Sequence, residues 1–132
     1  MSKVTELFKA IGAGDDSKIK QLLKENNDLV NSMDATPPPV HQAIYFDRPD
    51  MVKILLDHGA DIELRDQDRN STPLQHAVIY GRKAIIRMLV ARGANLCSRN
   101  SASGNILELA KKAEAGAFEE YYPEAVSYTH LT

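Results

Sequence analysis

The sequence repeats itself at a spacing of 33 or 34 residues. An apolar pair recurs at this spacing, and each pair follows an alanine by twelve positions. The pairs are Leu22-Leu23, Leu55-Leu56 and Leu89-Val90, and the alanines are Ala10, Ala43 and Ala77. Because one such unit cannot bury its apolar face alone, a repeat of about 20 to 50 residues predicts a stack of similar units that share one core.

Signals for helix ends recur with the same spacing. Thr72 is a residue type that caps a helix N-terminus, and Pro73 suits the first helical position. Gly59 and Gly93 follow the second and third apolar pairs, where a helix is predicted to end in the left-handed conformation that glycine adopts at little cost. Asn26 stands at this point in the first unit and is expected to adopt the same conformation. These signals predict two helices in each unit.

The period and these motifs together resemble the ankyrin repeat, a unit of about 33 residues with a T-P-L-H-x-A signature. Residues 72–77 read T-P-L-Q-H-A, so Gln75 replaces the histidine, whereas residues 38–43 read P-P-V-H-Q-A and keep it as His41. The strongest match is the segment 50–61, which reads DMVKILLDHGAD. The resemblance covers roughly residues 3 to 116 and implies an all-α solenoid of helix–turn–helix repeats.

The resemblance predicts one ankyrin-repeat domain over residues 1–116, with about three full repeats and a partial C-terminal repeat. The repeats are expected near 3–34, 35–66, 67–100 and 101–116. First helices are predicted near 3–12, 39–46, 73–80 and 105–115, and second helices near 16–25, 49–58 and 83–92. The connections are expected to project as turn-like fingers, at 27–38, 60–72 and 94–104.

The C-terminal end departs from this pattern. Twelve positions past Ala110, where an apolar pair is due, the sequence has Tyr122-Pro123. Residues 117–132 are therefore expected to be an irregular cap, a truncated repeat or a non-native tail. We expect the chain to be a monomer whose residues after about 116 pack loosely or pair with a second molecule, because end repeats open readily.

Charge and cysteine content argue against several classes of protein. The net charge of −2 does not favour non-specific attraction to nucleic acid. With a single cysteine, Cys97, no intrachain disulfide can form, which fits a reducing compartment. The sequence shows neither an N-terminal signal segment nor the run of about 20 apolar residues that a membrane span needs. We therefore expect a cytoplasmic protein that binds neither nucleic acid nor membranes.

Residue types that often bind metals or act in catalysis occur here without the spacing that those functions require. The histidines show no metal-ligand spacing, and they are His41, His58, His76 and His130. His41 is expected to bond the backbone of a turn, His58 to complement the dipole at a helix end, and Cys97 to be a small buried hydrophobe. No catalytic residue, metal or cofactor is predicted, and the chain is not expected to be an enzyme.

The candidate binding surface is aromatic. The resemblance places the second and third positions after each signature alanine on a concave groove, and the middle two repeats hold large side chains there: Tyr45, Phe46, Ile79 and Tyr80. Either these side chains pack between repeats, or they form an exposed patch; we expect at least two of them to be exposed. Finger residues are expected to form a polar rim around them, namely Gln67, Asp68, Arg69 and Ser71. The second helices are expected to expose charged residues on the opposite face, among them Lys53, Asp57, Arg82, Lys83 and Arg87.

The resemblance implies a non-catalytic module that binds a protein partner through its groove and finger tips. Two alternatives remain open from the sequence. The chain could be a regulatory or targeting module truncated from a longer enzyme, or a structural unit that associates with itself. The sequence does not identify the partner.

Overall fold

Helices are the regular structure throughout the part of the chain that this computed structural model describes, residues 2–34 and 37–99. They are α1 (Lys3–Ala13), α2 (Asp16–Glu25), α3 (Pro39–Tyr45), α4 (Pro49–Asp57), α5 (Pro73–Ile79) and α6 (Lys83–Ala91). Each end lies within one residue of the sequence prediction, so the all-α fold is confirmed over these residues. The helix predicted near 105–115 and the tail 117–132 lie outside the described residues.

The six helices of the described ranges form two layers. The first helices α1, α3 and α5 pack side by side in chain order, and the second helices α2, α4 and α6 do the same behind them. Leu22, Leu55 and Leu89 from the second helices are fully buried between the layers, and Ala43 and Ala77 are buried where the first helices meet. Small residues at these points let the helices approach closely. The helix pairs therefore share one core, as predicted for a solenoid.

The segment after α2 differs from the prediction. Residues 27–38 were expected to project as a finger, but Asn27–Asn31 form a short 3-10 helix that packs against α2 and α3. The reason is the apolar pair Leu29 and Val30, which is buried in the core. Asn26 is extended rather than left-handed, with φ of −148°, because its side chain accepts the Asp28 backbone N–H instead. The expected projecting finger and the expected left-handed conformation of Asn26 were therefore both wrong for the first unit.

The turns between paired helices share a left-handed residue. Gly14, Asp47 and Gly81 occupy equivalent positions and have φ of 73°, 55° and 66°. Asp47 is a non-glycine residue in this region, which few residue types other than glycine, asparagine and aspartate adopt. Gly59 and Gly93, with φ of 95° and 88°, follow the ends of α4 and α6 as predicted.

Two equivalent arginines join neighbouring helix pairs. Arg48 precedes α4 and its guanidinium donates to the Gly12 carbonyl, 3.2 Å away, in the last turn of α1. Arg82 precedes α6 and donates to the carbonyls of Ile44 and Tyr45 in the last turn of α3, at 3.2 and 2.6 Å. A cation at a helix C-terminus also complements the helix dipole. These bonds fix the position of each first helix against the following pair.

The N-terminus of α5 carries a complete capping box. The Thr72 hydroxyl accepts the Gln75 backbone N–H at 3.2 Å, and the Gln75 side-chain oxygen accepts the Thr72 backbone N–H at 2.8 Å. Both side chains are buried. We expect Thr72→Ala to lower the free energy of unfolding by about 1–2 kcal/mol, measured by chemical denaturation, because a buried backbone donor loses its acceptor. Thr72→Ser keeps the hydroxyl and is the control; equal stability of the alanine variant and the unaltered chain would contradict this role.

Candidate functional site

The aromatic residues singled out in the sequence lie at the ends of α3 and α5. Tyr45 and Phe46 are 49% and 42% exposed, whereas Ile79 and Tyr80 are half-buried. The expectation that at least two of these four side chains are exposed is confirmed. Ile79 packs against the core and does not join the exposed group. Tyr45, Phe46 and Tyr80 form what we call the aromatic row.

The rings of the aromatic row contact one another edge to face. The Tyr45 ring centroid lies 5.4 Å from that of Phe46 and 5.2 Å from that of Tyr80, with interplanar angles of 82° and 86°. Such pairs are worth about 0.5–1.5 kcal/mol beyond the area they bury. Tyr45 therefore bridges the second and third helix pairs, and its two ring contacts join the three side chains of the row.

The finger before α5 faces this row. Its turn is held by Asp66, whose carboxylate accepts the backbone N–H groups of Arg69 and Ser71 at 3.2 and 2.8 Å. Asn70 completes the turn in the left-handed region, with φ of 56°. Between finger and row lies a cavity of about 280 Å³, which Asp68 and Arg69 border together with all three rings of the row. The fold thus brings together five of the eight residues predicted for the binding surface.

Three predicted surface residues lie elsewhere. Besides Ile79, Gln67 does not border the cavity, and its side-chain amide donates to the Met33 carbonyl at 3.0 Å. The expectation that Ser71 belongs to an exposed rim was wrong, because Ser71 is fully buried. Its backbone N–H is bonded to Asp66, and its carbonyl lies 2.8 Å from Nε2 of the His41 ring. Ser71 therefore anchors the base of the finger.

Two guanidinium groups lie over the ring of Tyr80. Arg69 comes from the finger and Arg82 from the start of α6, at 5.7 and 5.9 Å from the ring centroid. This range allows a cation–π attraction. Arg82 was expected on the outer face, but its hydrogen bonds to the α3 carbonyls turn it toward the aromatic row. The row is thus apolar at its centre and positively charged beside Tyr80.

Besides Pro37 and Asp66, two helical residues of the cavity wall were not predicted from the sequence, Gln42 and His76. Each stands one position before a signature alanine, so they occupy equivalent positions in neighbouring units. They also lie on the same helix face as the row, since Gln42 precedes Tyr45 by three positions and His76 precedes Tyr80 by four. The helical period that identified the row could therefore have identified them.

A buried histidine pair lies beneath the row. The His76 ring contacts the rings of His41 and Tyr80, with centroids 5.0 and 4.8 Å apart. The Nε2 of His41 bonds the Ser71 carbonyl, which is the turn-backbone role predicted for it. Burial lowers the pKa of His41, and burial with the neighbouring His41 lowers the pKa of His76 to about 3. Both rings are therefore uncharged at neutral pH.

The reactive side chains Cys97 and His58 do not border the cavity. Across residues 2–34 and 37–99, no group of three or more His, Cys, Asp or Glu side chains is placed to hold a metal ion. Cys97 is exposed rather than buried, so the expectation for it was wrong. His58 caps the end of α4 and bonds the Ile54 carbonyl at 2.8 Å, in agreement with its predicted position. Among the helices of the described ranges, none is long and apolar enough to cross a membrane.

Comparison with known proteins agrees with this architecture. A search of curated proteins found no significant match. A scan against protein families matched ankyrin repeats, in three copies, over residues 7–100, which is more than half of the chain. Ankyrin repeats generally serve as protein–protein interaction modules and are typically non-catalytic. The stacked helix pairs, the recurring signature and this match show that the chain belongs to the ankyrin-repeat family.

Proposed function

We propose that this chain is a non-catalytic binding module whose protein partner docks across the aromatic row and the finger of the second and third repeats. The observation that carries the proposal is the exposure of Tyr45 and Phe46 beside an open cavity. Solvated apolar side chains in a contiguous patch usually mark an interaction site. Buried aromatic anchors also supply most of the binding energy in many interfaces.

The two faces of the repeat stack differ in a way that supports this choice. On α4 the outer face carries Lys53 and Asp57, which form an exposed ion pair at 3.0 Å. Arg92, at the end of α6, contacts the same carboxylate at 2.9 Å. Exposed ion pairs of this kind are well solvated and add little to stability or binding. The row has instead an apolar centre bordered by Asp68 and Arg69, which matches the common arrangement of an apolar core within a polar rim.

Asp68 and Arg69 would set the specificity of the site. Both are exposed, and they project from a turn that Asp66 holds rigidly. Charged residues at the rim of an interface affect partner selection and association rate more than affinity. The proposal therefore assigns affinity to the row and discrimination between partners to the finger.

Removal of a row side chain is expected to weaken partner binding with little loss of fold. We expect Tyr45→Ala and Tyr80→Ala each to weaken binding by about 1–3 kcal/mol, the usual cost of truncating an interface anchor. A partner is first captured with the intact chain, and its binding is compared with that to the double variant Tyr45→Ala, Tyr80→Ala. Its affinity for each single variant is then measured by titration calorimetry, together with the melting temperature of each variant.

The matched control is Lys53→Ala, which removes an exposed side chain from the outer face of α4. Its affinity for the partner should equal that of the unaltered chain. If Tyr45→Ala and Tyr80→Ala also bind with unchanged affinity, the partner does not use the row. A large fall in melting temperature for Tyr80→Ala would instead show that this half-buried ring serves the core.

A further inference from the structure

The cavity between row and finger has the dimensions and walls of a receptor for one side chain. Its volume is about 280 Å³, and Tyr45, Phe46 and Tyr80 supply three of its walls. Hot-spot side chains at protein interfaces are mainly tryptophan, tyrosine and arginine, and they fill pockets that lose their water when the partners bind. The chemistry of the walls distinguishes among these three.

Charge argues against arginine as the occupant. Arg69 and Arg82 already place two guanidinium groups within 6 Å of the Tyr80 ring centroid, at 5.7 and 5.9 Å. A third cation would be repelled by both. Asp66 and Asp68 border the same cavity, so an anion would be repelled in turn. The two guanidinium groups and the two carboxylates cancel in net charge, so neither a cation nor an anion gains a net attraction there, and an uncharged occupant is favoured.

Unsatisfied polar atoms behind the walls favour an occupant that carries a hydrogen-bond donor. Within the described ranges, the side-chain oxygen of Gln42 and both ring nitrogens of His76 have no hydrogen-bond partner. The His76 side chain is only 5% exposed, and its ring is uncharged, so one nitrogen offers a lone pair. Gln42 is half-buried and borders the cavity. Buried acceptors without donors cost free energy, which an incoming donor would recover.

We propose that the cavity receives one tryptophan or tyrosine side chain from the protein partner, with its ring against the aromatic row and its N–H or O–H donated to Gln42 or His76. This inference rests on the proposed function and specifies the partner's anchoring residue. A planar ring packs edge to face against Tyr45 and Tyr80 as these rings pack against each other. The face of the incoming ring also attracts the guanidinium of Arg69, which already lies over the Tyr80 ring.

The first test uses a single side chain as the probe. The chain contains no tryptophan, so the indole fluorescence of added N-acetyl-tryptophanamide reports the probe alone. We expect a saturable blue shift with the full chain and binding weaker by about fivefold or more for Tyr45→Ala. The double variant Gln42→Met, His76→Phe keeps the apolar walls of the cavity. Its affinity for the probe should fall by a similar factor, because both hydrogen-bond acceptors are lost.

The controls concern charge and hydrogen bonding. N-acetyl-argininamide should not compete with the tryptophan probe, and a probe methylated on the indole nitrogen should bind more weakly because it has no donor. Lys53→Ala should bind the probe like the unaltered chain. No saturable shift, equal binding by Tyr45→Ala, or effective competition by the arginine probe would each overturn the proposal.

A second test separates this inference from the proposed function. A random peptide library displayed on phage is selected against the full chain, and selected peptides are retested on Tyr45→Ala and Tyr80→Ala. We expect an invariant tryptophan or tyrosine in peptides that require the row. Peptides that require the row but lack both residue types would overturn the inference alone. If the selected peptides bind both variants with unchanged affinity, both the inference and the proposal that the row is the docking surface are wrong.

Discussion

Leu55→Ala is expected to lower the free energy of unfolding by about 2–5 kcal/mol, the largest effect we expect of a single substitution here. Leu55 lies on the inner face of α4 and is fully buried in the shared core. Helix α4 packs against α2, α3 and α6, so a cavity at this point affects all three helix pairs. Because small domains have only about 5–15 kcal/mol of total stability, the variant would retain a small margin or none.

The measurement is chemical denaturation followed by circular dichroism, with the slope of the transition compared as well as its midpoint. Lys53→Ala is the control on the same helix, since it removes an exposed side chain and should cost no more than about 0.5 kcal/mol. A loss below about 0.5 kcal/mol for Leu55→Ala would contradict its position in the core. If the variant does not fold, the smaller truncation Leu55→Val still tests the position.

Local sequence signals were enough to predict the helices, because each signal acts over a few residues. The apolar pairs, the capping residue Thr72 and the glycines after α4 and α6 all determine structure within about one helical turn. The segment after α2, where the prediction was wrong, also follows a local signal. The expected finger after α2 failed because Leu29 and Val30 reach the core, and the importance of one apolar pair among polar residues was overlooked.

The candidate site was predicted less completely, because its geometry depends on contacts between repeats. Ser71 looks like an exposed finger residue in sequence, but its carbonyl bonds His41, which is 30 positions earlier. Arg82 looks like an outer-face residue, but the carbonyls at the end of α3 attract its guanidinium from more than 35 positions away. Such contacts follow from the stacking of units and are not encoded by the residues next to each position.

The stability of the fold is expected to fall as the solution is acidified from about pH 7 to about pH 5, through the His41–His76 pair. Burial lowers the pKa of both residues in the folded chain, and for His76 from the ordinary 6.5 to about 3. The folded state therefore binds fewer protons than the unfolded state in this range. The stability that depends on a neutral His76 is fully present above pH 6.5 and is lost as the pH falls toward 3.

The charges around the pair act on this effect in both directions. Asp66 favours protonation of both rings, whereas Arg69 and Arg82 oppose protonation of His76. At no more than about 1.4 kcal/mol for each pH unit, His76 alone should lower the free energy of unfolding by about 2 kcal/mol between about pH 7.5 and about pH 5, and His41 acts in the same direction. The carboxyl groups with a lowered pKa, on Glu25 and Asp57, stay ionised over this interval.

His76→Gln tests the origin of this pH dependence, because glutamine is the residue at the equivalent position of the second repeat, Gln42, and does not titrate. We expect denaturation curves of the unaltered chain to shift strongly between about pH 7.5 and about pH 5, and those of His76→Gln to shift by about 2 kcal/mol less. His58→Gln is the control, since the His58 ring is half-buried at the end of α4 and bonds the Ile54 carbonyl of its own helix. If the unaltered chain were equally stable at both pH values, the buried histidine pair would have to be protonated without cost, which contradicts its burial.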